Sequence, residues 1–456
     1  MTDTMLLLPG LSLVEGKPLT ATFDAGRLSC DGGVIILREI ALRLGLAEAI
    51  TAPLLDNRDQ SRVQHGYADM ALARMVMIAA GYEDCDDIDT LRTDPAFKIA
   101  LGRGPNTGAD LMSQPTLSRL ENLADWRTLA RIGLSMIDLF CRSYARPPTT
   151  IVLDIDDTDD PVHGQQELAL FNAHYDCTCF QPIHIFEAMS GKPILSLLRP
   201  GKRPSGKEVA RILRHVIRRI RKHWPRVRIL VRGDSHYLSP EILDFLQASD
   251  CDYILGLAIN ETLKQIAAPW LTQCDVRRSP SQHKVRRFHQ FQYAAGSWSQ
   301  TQKVIARIEA TDLGHDARFI VTNLSGRGKK LYEKLYCQGG AAENLIKDMK
   351  RTTRSDKTAC SRWEANQFRL FLHIGAYWLL HAMRRAAPKR SRCHPAVVSA
   401  RAAPLQRTSA RRRCQRWARG STAPRISPPA TCTTRRPAPA AHPKLAARKV
   451  AAVVNT

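Results

Sequence analysis

Apolar residues recur at helical spacing through the first third of the chain. Ile36, Leu37, Ile40 and Leu44, and then Met70, Leu72, Met75 and Ile78, mark stripes that predict a mostly helical region over residues 25–148. Within it, Ser113 precedes Gln114, Pro115 and Thr116 in the order of a helix start, with Thr116 and Arg119 on the polar face. That pattern suits the recognition helix of a helix-turn-helix and equally an ordinary surface helix. At residue 150 the period changes to two. Ile151, Val152, Leu153 and Ile155 make a short β-branched run that reads as a core strand, and alternation puts Asp154 and Asp156 on one of its faces, with Asp157 adjacent.

Two more extended runs, 183–189 and 193–198, are joined by Ser190, Gly191 and Lys192, a hairpin turn, and complete an antiparallel meander. Ser205 and Glu208 have the spacing of a capping box, and Val209, Ile212, Leu213, Val216, Ile217 and Ile220 continue it as an amphipathic helix. The other face carries Arg211, Arg214, Arg218, Arg219, Arg221 and Lys222 without an acid, which is either a solvated face or a phosphate-contact surface. A strand over 227–232 ends in Gly233 and Asp234, followed by a helix over 240–248 and a strand over 253–257.

The order β-β-β-α-β-α-β, with acids closing its first and fourth strands, predicts an α/β fold: a ribonuclease-H-like catalytic core preceded by a helical N-terminal region. Alternating runs at 285–293, 304–310 and 319–324 then read as a β-rich insertion. A helix over 329–351 places Tyr336, Glu343, Lys347 and Lys350 roughly on one face, and an apolar helix over 364–381 is expected to pack beneath the active face. The expected division is a DNA-contacting helical region at 1–148, core at 149–257, insertion at 258–325, the rest of the core at 326–384 and a tail at 385–456.

A net charge of +24 favours polyanionic partners such as nucleic acid, but 17 of the cations lie in residues 385–456, which hold no Asp or Glu, leaving +7 for the rest. The 12 cysteines are scattered, with only Cys177 and Cys179 closely spaced, so neither a disulfide framework nor a structural zinc is expected. The apolar run at 5–8 follows Asp3 and lacks a basic region, unlike a signal peptide. Residues 370–383 are too short to span a bilayer and are interrupted by His373 and His381. These features lead to the expectation of a cytoplasmic protein without a membrane partner.

The chemistry is carried by acids. Carboxylates on three separate core elements suit hard cations that take oxygen ligands, as Mg²⁺ does, whereas an Asp-rich strand end can also merely cap a turn. Tyr336, Glu343 and Lys350 match a helical signature of Tyr, two residues, Arg, three residues, Glu, six residues, Lys. Together with LDIDDTDDPVHGQQE, LRPGKRPSGKE, VRGDSHY and EANQFRLFLHIGAYWLL, they make residues 20–385 resemble the DDE transposases of bacterial insertion sequences. The branch resembled is the one with a β-rich insertion between the second Asp and the Glu.

The resemblance implies a catalytic and metal-binding triad of Asp156, Asp234 and Glu343, with Asp154 as alternate first Asp and Asp157 next to it. Asp156 is preferred because the family pattern has a Thr two residues later, where Thr158 stands. It also implies two Mg²⁺ or Mn²⁺ ions and in-line phosphoryl displacement that frees and then joins DNA ends. The implied partners are double-stranded DNA, as element ends and target, contacted through Tyr336, Lys347, Lys350, Arg211, Arg214, Arg218 and Arg119, and a second copy in a homodimer. The location implied is the bacterial cytoplasm, on the nucleoid when bound. Gly339 stands where the signature has Arg, and after His381 the hydrophobic periodicity stops. Those departures read as a frameshifted copy of reduced activity; a basic disordered arm that binds DNA is the alternative for the tail.

Two rival readings differ in class. LDIDDT fits the D-x-D-x-T pattern of haloacid-dehalogenase-type phosphatases, with Asp154 as nucleophile and Asp156 as acid/base, but Leu238 stands where that family would want another acid. A non-catalytic DNA-binding remnant would retain the core and lose turnover through Gly339.

Overall fold

The computed structural model describes residues 6–7, 10–21, 29–278 and 284–387, so expectations for the tail beyond residue 387 lie outside the described residues. A short strand pair, β1 (Leu6–Leu7) and β2 (Thr20–Ala21), precedes the helical region. The helices are α1 (Val34–Leu44), α2 (Leu46–Thr51), α3 (Tyr67–Ala80), α4 (Ile88–Leu91), α5 (Pro95–Ala100), α6 (Gln114–Glu121) and α7 (Trp126–Arg142). The helical expectation holds, with one shift of face. Ile36 is 51% exposed, and α1 buries Val34, Leu37 and Ala41 instead. The helix-turn-helix alternative does not fit. From Ala100 at the end of α5 to Gln114 at the start of α6, the loop far exceeds the turn of about three or four residues that motif uses.

The meander forms as expected: β3 (Thr150–Asp157) pairs antiparallel with β7 (Ile183–Glu187), and β7 with β8 (Lys192–Leu197). Between β3 and β7 the chain inserts a small sheet of β4 (Asp160–Pro161), β5 (Leu170–Asn172) and β6 (Cys177–Phe180), which the sequence reading lacks. Next come α8 (Gly206–His223), β9 (Arg228–Gly233), α9 (Pro240–Ala248) and β10 (Asp252–Leu257). Ser205 caps α8 by accepting from the Glu208 N–H at 3.3 Å, but Glu208 turns its carboxylate to Arg199 (2.6 and 2.8 Å), so only half of the capping box forms.

The segment expected as a β-rich insertion begins with an unexpected helix, α10 (Glu261–Arg277), and continues with β11 (Lys284–Tyr293), β12 (Gln302–Thr311) and β13 (Gly314–Thr322). Its strands are not a separate β-layer. β13 pairs antiparallel with β10, giving one 8-stranded sheet in the order β11-β12-β13-β10-β9-β3-β7-β8. The chain then runs through α11 (Gly328–Leu331), a π-turn (Tyr332–Tyr336), a 3₁₀ turn (Cys337–Gly339), α12 (Gly340–Thr353) and α13 (Trp363–Ala386). The single helix expected over 329–351 is therefore broken just before Glu343.

Helix α13 buries every residue from Ala365 to Leu380, as its apolar composition demands, and packs on α3 and α1 on one side and β8 on the other. The helical region and the sheet consequently share one core. On the opposite sheet face a smaller core of Val152, Leu230, Ile254, Ile305 and Ile320 is closed by Leu331 and Tyr332. No helix among the described residues is long and apolar enough to cross a membrane.

Candidate active site

Strands β3 and β9 run parallel, with Asp154 opposite Arg232, so both chains leave the sheet at the same edge. Asp156 and Asp157 finish β3 there, and Asp234 follows β9 directly. Helix α12 crosses beside β3 and brings Glu343 to the same edge. Asp154, Asp156, Asp157, Asp234, Tyr336 and Glu343 line one cavity of about 420 Å³. The close passage of Asp234 and Tyr336 requires Gly256 on β10. A Cβ at that position would lie 2.8 Å from the Tyr336 hydroxyl and 2.7 Å from the Ser235 nitrogen.

The acids have unequal surroundings. Asp154 is buried and takes a bidentate pair from Arg232 (2.5 and 2.7 Å), so its charge is met inside the protein. Asp157 accepts from the Tyr237 hydroxyl (2.9 Å) and from Gln181. Asp156 accepts only the Asp157 N–H (2.9 Å) and has no basic partner among the described residues. Burial, and then the charges of Asp234, Asp157 and Glu343, push its carboxyl up to about 7. Asp234, half exposed, caps the following turn through the His236 N–H (2.8 Å), and its pKa is raised by the protein crowded around it. Tyr336 is pushed up to about 12 by burial and then by Tyr332 and Asp234, so it keeps its proton.

The expected cations divide. Lys347 pairs with Glu343 across one helical turn at 2.6 Å, and both are exposed. Lys350, expected at phosphate, instead ties α12 to the chain after β3, reaching Thr158 Oγ1 (3.0 Å), the Asp159 carbonyl (2.6 Å) and Asp160 (3.1 Å). Arg211, Arg214 and Arg218 are exposed on α8, with Arg214 lying over Phe245, and all are outside the acid cavity. Of their neighbours, Arg219 is spent on Asp138 and Arg221 on the Ser249 and Asp250 carbonyls. Arg119 is exposed on α6 and bonded to Thr116 (3.1 Å).

Sequence reasoning missed Arg232, Tyr237, Gln181 and Tyr175, which also lines the cavity and is pushed up to about 12 by burial and the nearby aspartates. Arg232 left one signal: an arginine inside an otherwise apolar strand needs a buried counter-charge. Among the described residues no three acid, His or Cys side chains converge tightly enough to grip an ion as they stand. The donor set nevertheless fits a hard divalent cation, being carboxylate oxygens whose mutual repulsion at Asp156 is unrelieved.

The family model described as transposase DDE domain group 1 matches residues 11–401. A search of curated proteins found no match. Among solved structures, the chain is similar to the piggyBac transposase in its synaptic complex with hairpin DNA, at 12% identity and a TM-score of 0.44, over 76% of this chain and 74% of that one. The Mos1 transposase paired-end complex with the left transposon end matches at 11% identity and a TM-score of 0.17, over 43% of this chain and 61% of that one.

Proposed function

The chain belongs to the transposase DDE domain group 1 family, and on that premise we propose that it cuts and rejoins DNA at the ends of a mobile element, with Asp156, Asp234 and Glu343 as its catalytic carboxylates. The observation that carries this reading is the meeting of the three acids, from two parallel strand ends and a separate helix, in one cavity. Asp156 is favoured over Asp154 as the first acid because Arg232 already neutralises Asp154. These three residues would hold Mg²⁺ or Mn²⁺, which when bound supplies Lewis acidity to the scissile phosphate and the attacking oxygen. Asp156 and Asp234 present their oxygens from rigid strand ends; Glu343 presents its own from the first turn of α12. Tyr336 and Tyr175 keep their hydroxyl protons and can donate to phosphate oxygens at the cavity wall. The working complex is proposed to hold two copies of the chain, one for each element end.

The test is incubation of the purified chain with supercoiled DNA carrying the element's own flanks, with and without Mn²⁺. Metal-dependent cuts at the element ends support the reading; binding without cuts favours the non-catalytic remnant. DNA contact is proposed for Arg211, Arg214 and Arg218 on α8 and for Arg119. Arg218→Ala is expected to weaken binding uniformly across sequences and to lower the slope of log affinity against log salt by about 0.9, the worth of one phosphate contact. An unchanged slope removes α8 from the DNA track.

Gly339 is proposed as a lesion. Its backbone is helical (φ −60°, ψ −27°), and the atoms nearest a Cβ built there belong to Arg232, at 3.5 Å, an ordinary van der Waals contact, so the backbone accepts a side chain at this position. Gly339→Arg is expected to tighten end binding about tenfold through charge-assisted bonds to phosphate and to speed cleavage. No gain in either would remove the argument that this glycine costs activity.

A further inference from the structure

One guanidinium ties the two strands that carry the proposed catalytic aspartates to the turn that leads into the helix of Glu343. Arg232 lies on β9, two residues before Asp234, and its side chain is 4% exposed. Nε and Nη2 fork onto the Asp154 carboxylate of β3, two residues before Asp156. Nη1 is left over and donates to the Leu335 carbonyl at 2.6 Å, inside the π-turn that leads to Glu343. Its shaft also passes beneath Gly339, 3.5 Å from where a Cβ would stand.

The route from α11 to α12 needs such a hold. From Tyr332 to Gly339 the backbone goes through π and 3₁₀ turns, so no continuous α-helical ladder fixes the start of α12 against the sheet. Only a planar group with several donors can fill a bidentate carboxylate and still reach a carbonyl on a third element; an ammonium has no such fork. We propose that Arg232 is a positioning residue that, by joining Asp154 to the Leu335 carbonyl, sets where Glu343 stands relative to Asp156 and Asp234. The assignment rests on the reading of those three acids as the metal-binding set, and it makes Asp154 the anchor of the clamp.

The test uses the full chain with Arg232→Met and Asp154→Leu combined, an apolar pair that fills the space without the bond to Leu335. Thermal melting, amide hydrogen exchange by segment and binding of Mn²⁺ alone, followed by the electron paramagnetic resonance of the free ion, are measured. The expected result is a melting temperature within a few degrees of the parent, exchange over 335–343 faster by about tenfold or more, and Mn²⁺ affinity lower by about tenfold or more. Wild-type exchange over 335–343 in the folded double variant would overturn the clamp, as would faster exchange with unchanged Mn²⁺ affinity. If the double variant does not fold, Arg232→Lys, which keeps a charge opposite Asp154 and loses the third bond, is expected to show the same local loss, and wild-type exchange in it overturns the clamp equally. Asp156→Asn separates the two ideas: Mn²⁺ binding indifferent to it refutes the metal-site reading, and the exchange over 335–343 then decides the clamp alone.

Discussion

Asp156→Asn and Glu343→Gln are each expected to lower metal-dependent cleavage by about 10³, while affinity for element-end DNA changes by less than about twofold. A bound metal contributes several kcal/mol of transition-state stabilisation, and each 1.4 kcal/mol is about tenfold in rate. Losing one anionic ligand forfeits most of that. The proposed DNA contacts on α8 are exposed and lie outside the acid cavity, so the two functions should separate. Cleavage assays and gel-shift titrations on the same preparations measure both; activity retained by either variant would break the triad. The same cluster gives a pH signature. Because Asp156 is held near 7, its carboxyl binds a proton below that pH, and the cation must displace it. Mn²⁺ affinity is therefore expected to fall by about tenfold per pH unit below 7 and to level off above it. Affinity that is flat between pH 5 and 7 would contradict the environment described for Asp156.

The second large effect concerns stability. Glu121, 3% exposed on α6, accepts from Arg74 Nε at 2.8 Å and lies 3.5 Å from Arg369 of α13. Arg74 is fully buried and otherwise donates to the Glu83 and Asp84 carbonyls. Glu121→Ala leaves two interior guanidinium groups facing each other without an anion, and the expected cost is about 3–5 kcal/mol in urea unfolding. Glu121→Gln keeps an acceptor and should cost less, and Arg119→Ala, one turn's surface away, should stay within about 0.5 kcal/mol. A loss below about 1 kcal/mol in Glu121→Ala would show that water reaches this triad.

Legibility followed the strength of the local period. The β-branched run at Ile151 and the amphipathic helix after Ser205 were readable because burial of one face leaves a regular imprint, and both occur where the pattern puts them. Helix α10 was not. It buries only Leu263, Ala267 and Cys274 among its described contacts with the core and carries Pro269 inside, so its sequence has almost no face to detect. The small sheet after β3 has strands too short for alternation to register, and it exposes Phe171 to solvent. At the site, the acids were legible as strand ends and as a helical signature. Their partners were not: Asp154 and Arg232 are far apart in sequence, and only the parallel register of β3 and β9 makes them opposite.

Helix α13 imposes an order on synthesis. Its buried faces hold the N-terminal helices and the sheet at once, yet residues 363–386 are the last described part of the chain to leave the ribosome. Domains ordinarily settle from the N-terminus as they emerge; here α3 and β8 keep apolar surfaces open until residues 363–386 have been made. A shift of reading frame upstream of codon 363 would abolish both halves of the molecule together, whereas one beyond codon 387 would spare every contact described.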